Sequence, residues 1–318
     1  QAATSKKARS AQKIKLEYVS KMYEVLLNYL NVPALNLPDT SGINIPSGAA
    51  EADSDTAFTE IEKLTNDTRE HWQIGKGPID NLQYVLQSNG IIVTGFNGVE
   101  EGIDAFSQQI NIDGKIVYII ALAIGSKPIE RLRFDMAHEL GHILMHSWGD
   151  DNEDLSKDEF NAREKQANMF ASAFLLPKES FSRMVSAYPT NIDYYIALKK
   201  KWKVSMQAMM YRARQLDIIT ANQFQYMMRI MSKRGNRTHE PGDKPGKIGD
   251  TIFQAALDML FEGGYLTVDG LLREFGRYGI FLSRKDLENL MYLREGTLYS
   301  EPKVIPFLFM KKNTEKIK

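Results

Sequence analysis

Apolar positions in this chain recur mostly at helical spacing. Leu132, Met136, Leu140, Ile143 and Leu144 fall three or four apart in "GSKPIERLRFDMAHELGHILMH", the stripe of an amphipathic helix facing a core. Ser126 is its expected cap, and Pro128 sits in the first turn, where a missing N–H costs nothing. Gly141 lowers helix propensity there but leaves room for another element to pass close. The glycine and acids of "SWGDDNEDLS" close the helix. A second helix is expected over "EFNAREKQANMFASAFLLP", with Phe160, Ala167, Ala171 and Phe174 inward and Pro177 as its stop. Upstream, Asn81 to Ser88 reads as a short helix closed by "NG". The β-branched runs "IIVTGF" and "GKIVYIIAL", bounded by glycines, read as strands.

Beyond Pro177 the pattern is helical again. "DYYIALKKKWKVSMQAMMYRARQLDII" divides near "WKVS", with Ser205 capping the second half and Met206, Met209, Met210 and Leu216 read as core. That is the outline of a helix-turn-helix, and "KKKWK" gives it local positive charge, although a lysine run is more often a solvated face. "SKRGNRTHEPGDKPGK" has no period and reads as a mobile linker carrying an exposed His239. "TIFQAALDMLFEGG", stopped by its glycines, forms a last helical unit with "TVDGLLREFGRYG" and "SRKDLENLMYL", which begin with a Thr and a Ser cap; it is read as an interaction or dimerisation module. At the other end, a helix is expected before Pro33, Pro38, Pro46 and "SGAAEADSD", which mark a linker. The expected class is α+β, mainly helical. Its divisions are a connecting helix and Pro-rich linker (1–50), an α/β core (51–187), a helix-turn-helix-like module (188–232), a basic linker (233–249) and a C-terminal helical module (250–318).

Composition narrows the possibilities. Forty basic residues balance forty acidic ones in 318, so net charge gives no argument for nucleic acid. The chain has no cysteine, which excludes disulfides and cysteine-ligated zinc and agrees with a cytoplasmic protein. No apolar stretch reaches membrane-spanning length, and the start carries no signal-peptide pattern.

Three of the five histidines, His138, His142 and His146, lie within nine positions. His138 and His142 are one turn apart on one helix face, so both rings can reach a single cation. Glu139 sits about 100° round from His138, near enough to touch a water on that cation without ligating it. This is the arrangement of H-E-x-x-H, in which two imidazoles hold zinc and the glutamate is the general base. A catalytic zinc site takes three protein ligands and leaves a place for water. His146 is a poor third ligand, being about 80° and ~12 Å from His138 along a continuous helix. Glu164 is the better candidate: it falls in the inward stripe of the next helix, where an unpaired carboxylate is costly. A buried salt bridge is the alternative for it. Asp135 and Asn168 lie near the site by spacing, and each imidazole is expected to donate its second N–H to a carboxylate or carbonyl.

"RFDMAHELGHILMH" and "REKQANMFASAFLLP" resemble the two defining blocks of the ImmA/IrrE (M78) metallopeptidases, and "HWQIGKGPIDNLQYVLQSNGIIVTG" with "IDAFSQQI" resembles the family's preceding α/β segment. The resemblance implies a zincin-like core, a small twisted sheet packed on the H-E-x-x-H helix. It implies one zinc per chain on His138, His142 and Glu164, with Glu139 as base and His146 a companion that does not ligate. An edge strand, either Ile103–Ser107 or Lys115–Ile120, would hold substrate extended by main-chain pairing. The implied activity is site-specific cleavage of an Xre-type transcriptional repressor, a partner or the chain itself near the linker before Leu37, in stress or mobile-element regulation. Longer members carry an N-terminal Xre-type DNA-binding head, which the opening helix here would have followed. DNA contact would then come through that missing head or through residues 194–216, and a homo-oligomer is compatible with both. A regulator whose zinc site is structural or sensory is the competing expectation. Glu139 argues against it, because a structural site has no need of a base.

Overall fold

The computed structural model describes residues 6–46, 51–52, 54–96, 104–146, 148 and 155–299. In chain order the elements are α1 (Lys6–Leu27), α2 (Asp55–His71), α3 (Leu82–Ser88), β1 (Ile91–Phe96), β2 (Ala105–Ile112), β3 (Lys115–Ala123), α4 (Ile129–Met145), α5 (Lys157–Leu175), α6 (Lys178–Val185), α7 (Ile192–Trp202), α8 (Met206–Gln215), α9 (Ala221–Lys233), α10 (Ile252–Glu262), α11 (Val268–Arg277) and α12 (Arg284–Met291). The class is α+β and mainly helical. Parts of several expectations lie outside the described residues: linker positions 47–50 and 53, Ile103, the glycine and all the acids of the stop after α4, and 300–318 of the C-terminal module.

The sheet is ordered β1-β3-β2, with β1 parallel and β2 antiparallel to β3. β3 is therefore internal, which removes Lys115–Ile120 as an edge. β1 and β2 are the edges; β2 packs beside α4 and is joined to β3 by a tight turn in which Asp113 and Gly114 both take positive φ. Strand period 2 sorts the side chains into two cores. Ile91, Val93, Tyr118, Ile120 and Leu122 face the core built on α2 to α9. Ile92, Ile119 and Ala121 face a second core, shared by α1 and α10–α12. The opening helix thus packs through Leu16, Val19, Met22 and Leu26 against the C-terminal helices and the back of the sheet.

Most helix starts follow the expected capping chemistry. Asn81, Ser205, Thr251, Thr267 and Ser283 each accept from a backbone N–H in the first turn of the following helix. Ser126 does not cap α4. Pro128 itself is the N-cap, with extended backbone and no side-chain bond.

The segment 233–249 is anchored, contrary to its reading as a mobile linker. Glu240 accepts from the N–H groups of Met206 and Gln207 at 2.7 and 3.0 Å, satisfying free donors at the start of α8. Its carboxylate also meets Lys199 of α7 at 3.0 Å, and Asp243 pairs with the same ammonium. Pro245 bridges Pro128, and Gly246 N–H donates to the Lys127 carbonyl at 2.7 Å, so the segment closes over the start of α4. Sequence periodicity could not reveal this, because every partner is a distant, non-repeating polar group. His239 is exposed, as expected.

Candidate metal centre

Two helices carry the site. α4 buries Leu132, Met136, Leu140, Ile143 and Leu144, which turns His138 and His142 towards α5. The helices approach at Gly141, where an added Cβ would lie 3.1 Å from the Cβ of Phe170. α5 starts with a capping box between Ser156 and Glu159 and buries Ala167, Phe170, Ala171 and Phe174. Its Glu164 lies opposite the two imidazoles.

The three side chains that sequence spacing brings together converge. Nε2 of His138 and Nε2 of His142 are 3.0 Å apart, and Glu164 places its two carboxylate oxygens 3.4 and 3.3 Å from them. These are the residues among those described whose ligand atoms could hold a metal ion. Tetrahedral zinc with bonds of 2.0–2.1 Å separates its ligand atoms by about 3.3 Å, so the triangle fits such an ion. The electrostatics also favour a central positive charge. Burial opposes a charge on His138, but the hydrogen bond to Glu164 and the charges of Glu139 and Glu164 outweigh it and raise its pKa. Burial likewise opposes ionisation of Glu164, yet hydrogen bonds from His138 and His142 hold its carboxyl far below the usual range.

Glu139 is buried beside the triangle, and the Ser107 hydroxyl of β2 donates to its Oε2 at 2.5 Å. Nδ1 of His138 lies 3.1 Å from Oδ1 of Asn168, the carbonyl partner expected for a ligating imidazole. His142 departs from that expectation: its Nδ1 faces Nδ1 of His146 at 2.8 Å. His146 follows the last residue of α4 with extended backbone, so the helix has already ended, and its ring turns away from the triangle towards Gln166. Burial and the neighbouring His142 push its pKa down to about 3, leaving it neutral. Asp135 plays no part in holding the imidazoles and pairs with Arg131 at 3.0 Å. Sequence reasoning missed Ser107 and Gln166; the only signal for the second was a third histidine with no assigned partner.

No curated protein matches the chain. A solved structure described as a Mycobacterium tuberculosis transcriptional regulator aligns at 21% identity with a TM-score of 0.34, over 51% of this chain and 49% of that one, so the chain spans about half its length. Residues 101–214 match the M78 peptidase family, in the unit described as the IrrE N-terminal-like domain. That stretch contains β2 and β3, both helices of the metal centre, and the run through α7 into α8. Across residues 101–214, then, the chain is similar to the IrrE N-terminal-like domain of the M78 peptidase family.

Proposed function

We propose that the chain is a zinc-dependent endopeptidase in which His138, His142 and Glu164 hold one metal ion and Glu139 is the general base. The observation that carries this reading is the pairing of the triangle with a fourth residue, Glu139, whose buried carboxylate follows His138 on α4. A structural site has no use for that carboxylate. Zinc bound there supplies Lewis-acid polarisation of the scissile carbonyl and makes water a stronger acid. Glu139 takes the proton from the attacking water and returns it to the leaving amine nitrogen. Ser107 aims the carboxylate, and Asn168 orients His138. The edge strand β2 offers main-chain groups on which a substrate segment can lie extended beside Glu139.

For substrate we propose a transcriptional repressor of Xre type, resting on the family match and the motif resemblance. No helix among the described residues is long and apolar enough to cross a membrane. With a cysteine-free sequence, this supports work in the cytoplasm. The test is to incubate zinc-loaded protein with a panel of Xre-type repressors and map cuts by mass spectrometry. Cleavage at one bond, lost in a Glu139→Gln variant that still holds one zinc, is the expected result. If both proteins hold zinc and leave every repressor and an unstructured peptide library intact, the site is structural or sensory.

A further inference from the structure

A chain of side-chain contacts leads from the metal centre to the segment before α2. Nδ1 of His142 faces Nδ1 of His146 at 2.8 Å, and Nε2 of His146 faces Oε1 of Gln166 at 3.2 Å. Nε2 of Gln166 then donates to the carbonyl of Pro46 at 2.7 Å. Gln166 is 3% exposed, so its amide has no access to water as a substitute partner.

Chemistry fixes the protons along this line. An imidazole that presents the Nε2 lone pair to a cation carries its proton on Nδ1. His142 is therefore the donor, and Nδ1 of His146 accepts. The proton of His146 must then sit on Nε2, which donates to Gln166. The Pro46 carbonyl accepts only from an N–H, so it turns the amide nitrogen towards itself and leaves Oε1 facing His146. With the proton of His146 on Nδ1 instead, two N–H groups would collide at one end and two lone pairs at the other. Both nitrogens of His146 are thus engaged away from the triangle, so it is not a further ligand.

We propose that His146 and Gln166 are positioning residues that fix the tautomer and ring angle of His142. The carbonyl of Pro46 sets the orientation of the amide. That carbonyl is well placed to do so, because the connector is held on α2 by Lys63 at the Gly42 carbonyl and by Glu60 at the Asn44 N–H. Through Gln166 the N-terminal connector reaches the ligand set. This inference rests on the metal-centre reading above.

The test uses the full chain, with zinc affinity measured by chelator competition and the ligand field read from the visible absorption of the cobalt(II) form. Far-UV circular dichroism of each metal-free variant checks folding. Gln166→Leu and His146→Leu are expected to weaken zinc binding by roughly 10- to 100-fold and to shift the cobalt bands. Gln166→Met keeps the side-chain volume but offers no hydrogen bond, and is expected to lose about as much as Gln166→Leu, with the same shift of the bands. If His146→Leu does not fold, the two Gln166 variants decide the matter. Wild-type affinity and bands in Gln166→Leu would overturn the proposal. So would wild-type affinity in Gln166→Met beside a loss in Gln166→Leu, since lost packing would then explain the whole effect. A wild type that binds no zinc would instead overturn the metal-centre reading, and this inference with it.

Discussion

The hydroxyl of Ser107 on β2 lies 2.5 Å from Oε2 of Glu139 on α4, so the strand at the sheet's edge holds the buried carboxylate of the helix. A base that swings freely spends less time aimed at water. Ser107→Ala is expected to lower kcat by roughly tenfold, a fraction of the 10²–10⁴ that a general base supplies. KM and zinc content should change little, because the hydroxyl touches neither the ligand triangle nor the main-chain edge. Steady-state cleavage and elemental analysis of the same preparations check this; a loss of zinc would reassign Ser107 to folding.

Gly141 sets the distance between the two ligand-bearing helices. Ala in its place gains ~1 kcal/mol of helix propensity. Its Cβ, however, would sit 3.1 Å from the Cβ of Phe170, a fully buried ring stacked on Phe174 with no room to withdraw. Overpacking of that kind costs about 1–3 kcal/mol, so the clash wins and Gly141→Ala is expected to lose ~1 kcal/mol net. Since His138 and His142 stand on one helix and Glu164 on the other, zinc affinity should fall along with denaturant stability. Unchanged affinity would mean that the helices adjust without separating the ligands.

The convergence of His138, His142 and Glu164 was legible because its logic is local. Two histidines one turn apart, and a carboxylate in an otherwise apolar stripe, are visible in spacing alone. Caps such as Ser205 and Ser283 were legible for the same reason, each acting within three residues. Ser126 shows where that logic stops, since Pro128 already supplies the extended N-cap geometry. The partners that orient the site were not legible. Ser107 is 32 residues from Glu139, and Gln166 is 120 from Pro46, separations over which no periodicity carries information. The choice between two candidate edge strands was settled by the sheet order, which pairs β3 on both sides and leaves β2 at an edge.

Lys199 is 3% exposed and meets Glu240, Asp243 and, at 3.9 Å, Glu130. Burial disfavours its charge, but the hydrogen bonds it donates to Asp243 and Glu240 outweigh this and raise its pKa. The stability it contributes is therefore present below the unfolded value of 10.5 and is lost as pH rises through the higher folded one. Lys199→Met would leave buried carboxylates unpaired, at a cost of ~3–5 kcal/mol. It should also release residues 233–249, seen as faster hydrogen exchange across that segment at neutral pH. Exchange unchanged there would mean that the backbone bonds of Gly246 suffice to hold it.

Asp135 is 4% exposed, and burial raises its carboxyl to about 6. Arg131 and Lys127 pull the value down, Asp104 pushes it up and His138 lowers it, but none of these overcomes burial. Between the unfolded value of 3.8 and about 6 the folded chain binds more protons than the unfolded one, so this group's stability is present below 3.8 and lost as pH rises through about 6. Asp135→Asn is expected to gain on wild type as pH goes from 4 to 8. Melting temperatures of the two metal-free proteins across that range test it; a gap that stays constant would show that the ion pair with Arg131 cancels the burial.

In the proposed reading, Glu164 and Glu139 separate holding a metal from using it. Glu164 is the one member of the triangle on α5, so zinc held by all three residues would tie α4 to α5. Free zinc at a thousand times its dissociation constant stabilises a protein that binds it only when folded by about 4 kcal/mol. Glu164→Ala leaves two imidazoles on one helix, and most of that stabilisation should vanish. Glu139→Gln keeps all three ligands and should retain it, because the amide still accepts from Ser107. Thermal melts with and without zinc, run on wild type and both variants, give the comparison. Full zinc stabilisation in Glu164→Ala would mean that the two histidines bind the ion with some other group, and the three-ligand assignment would fall.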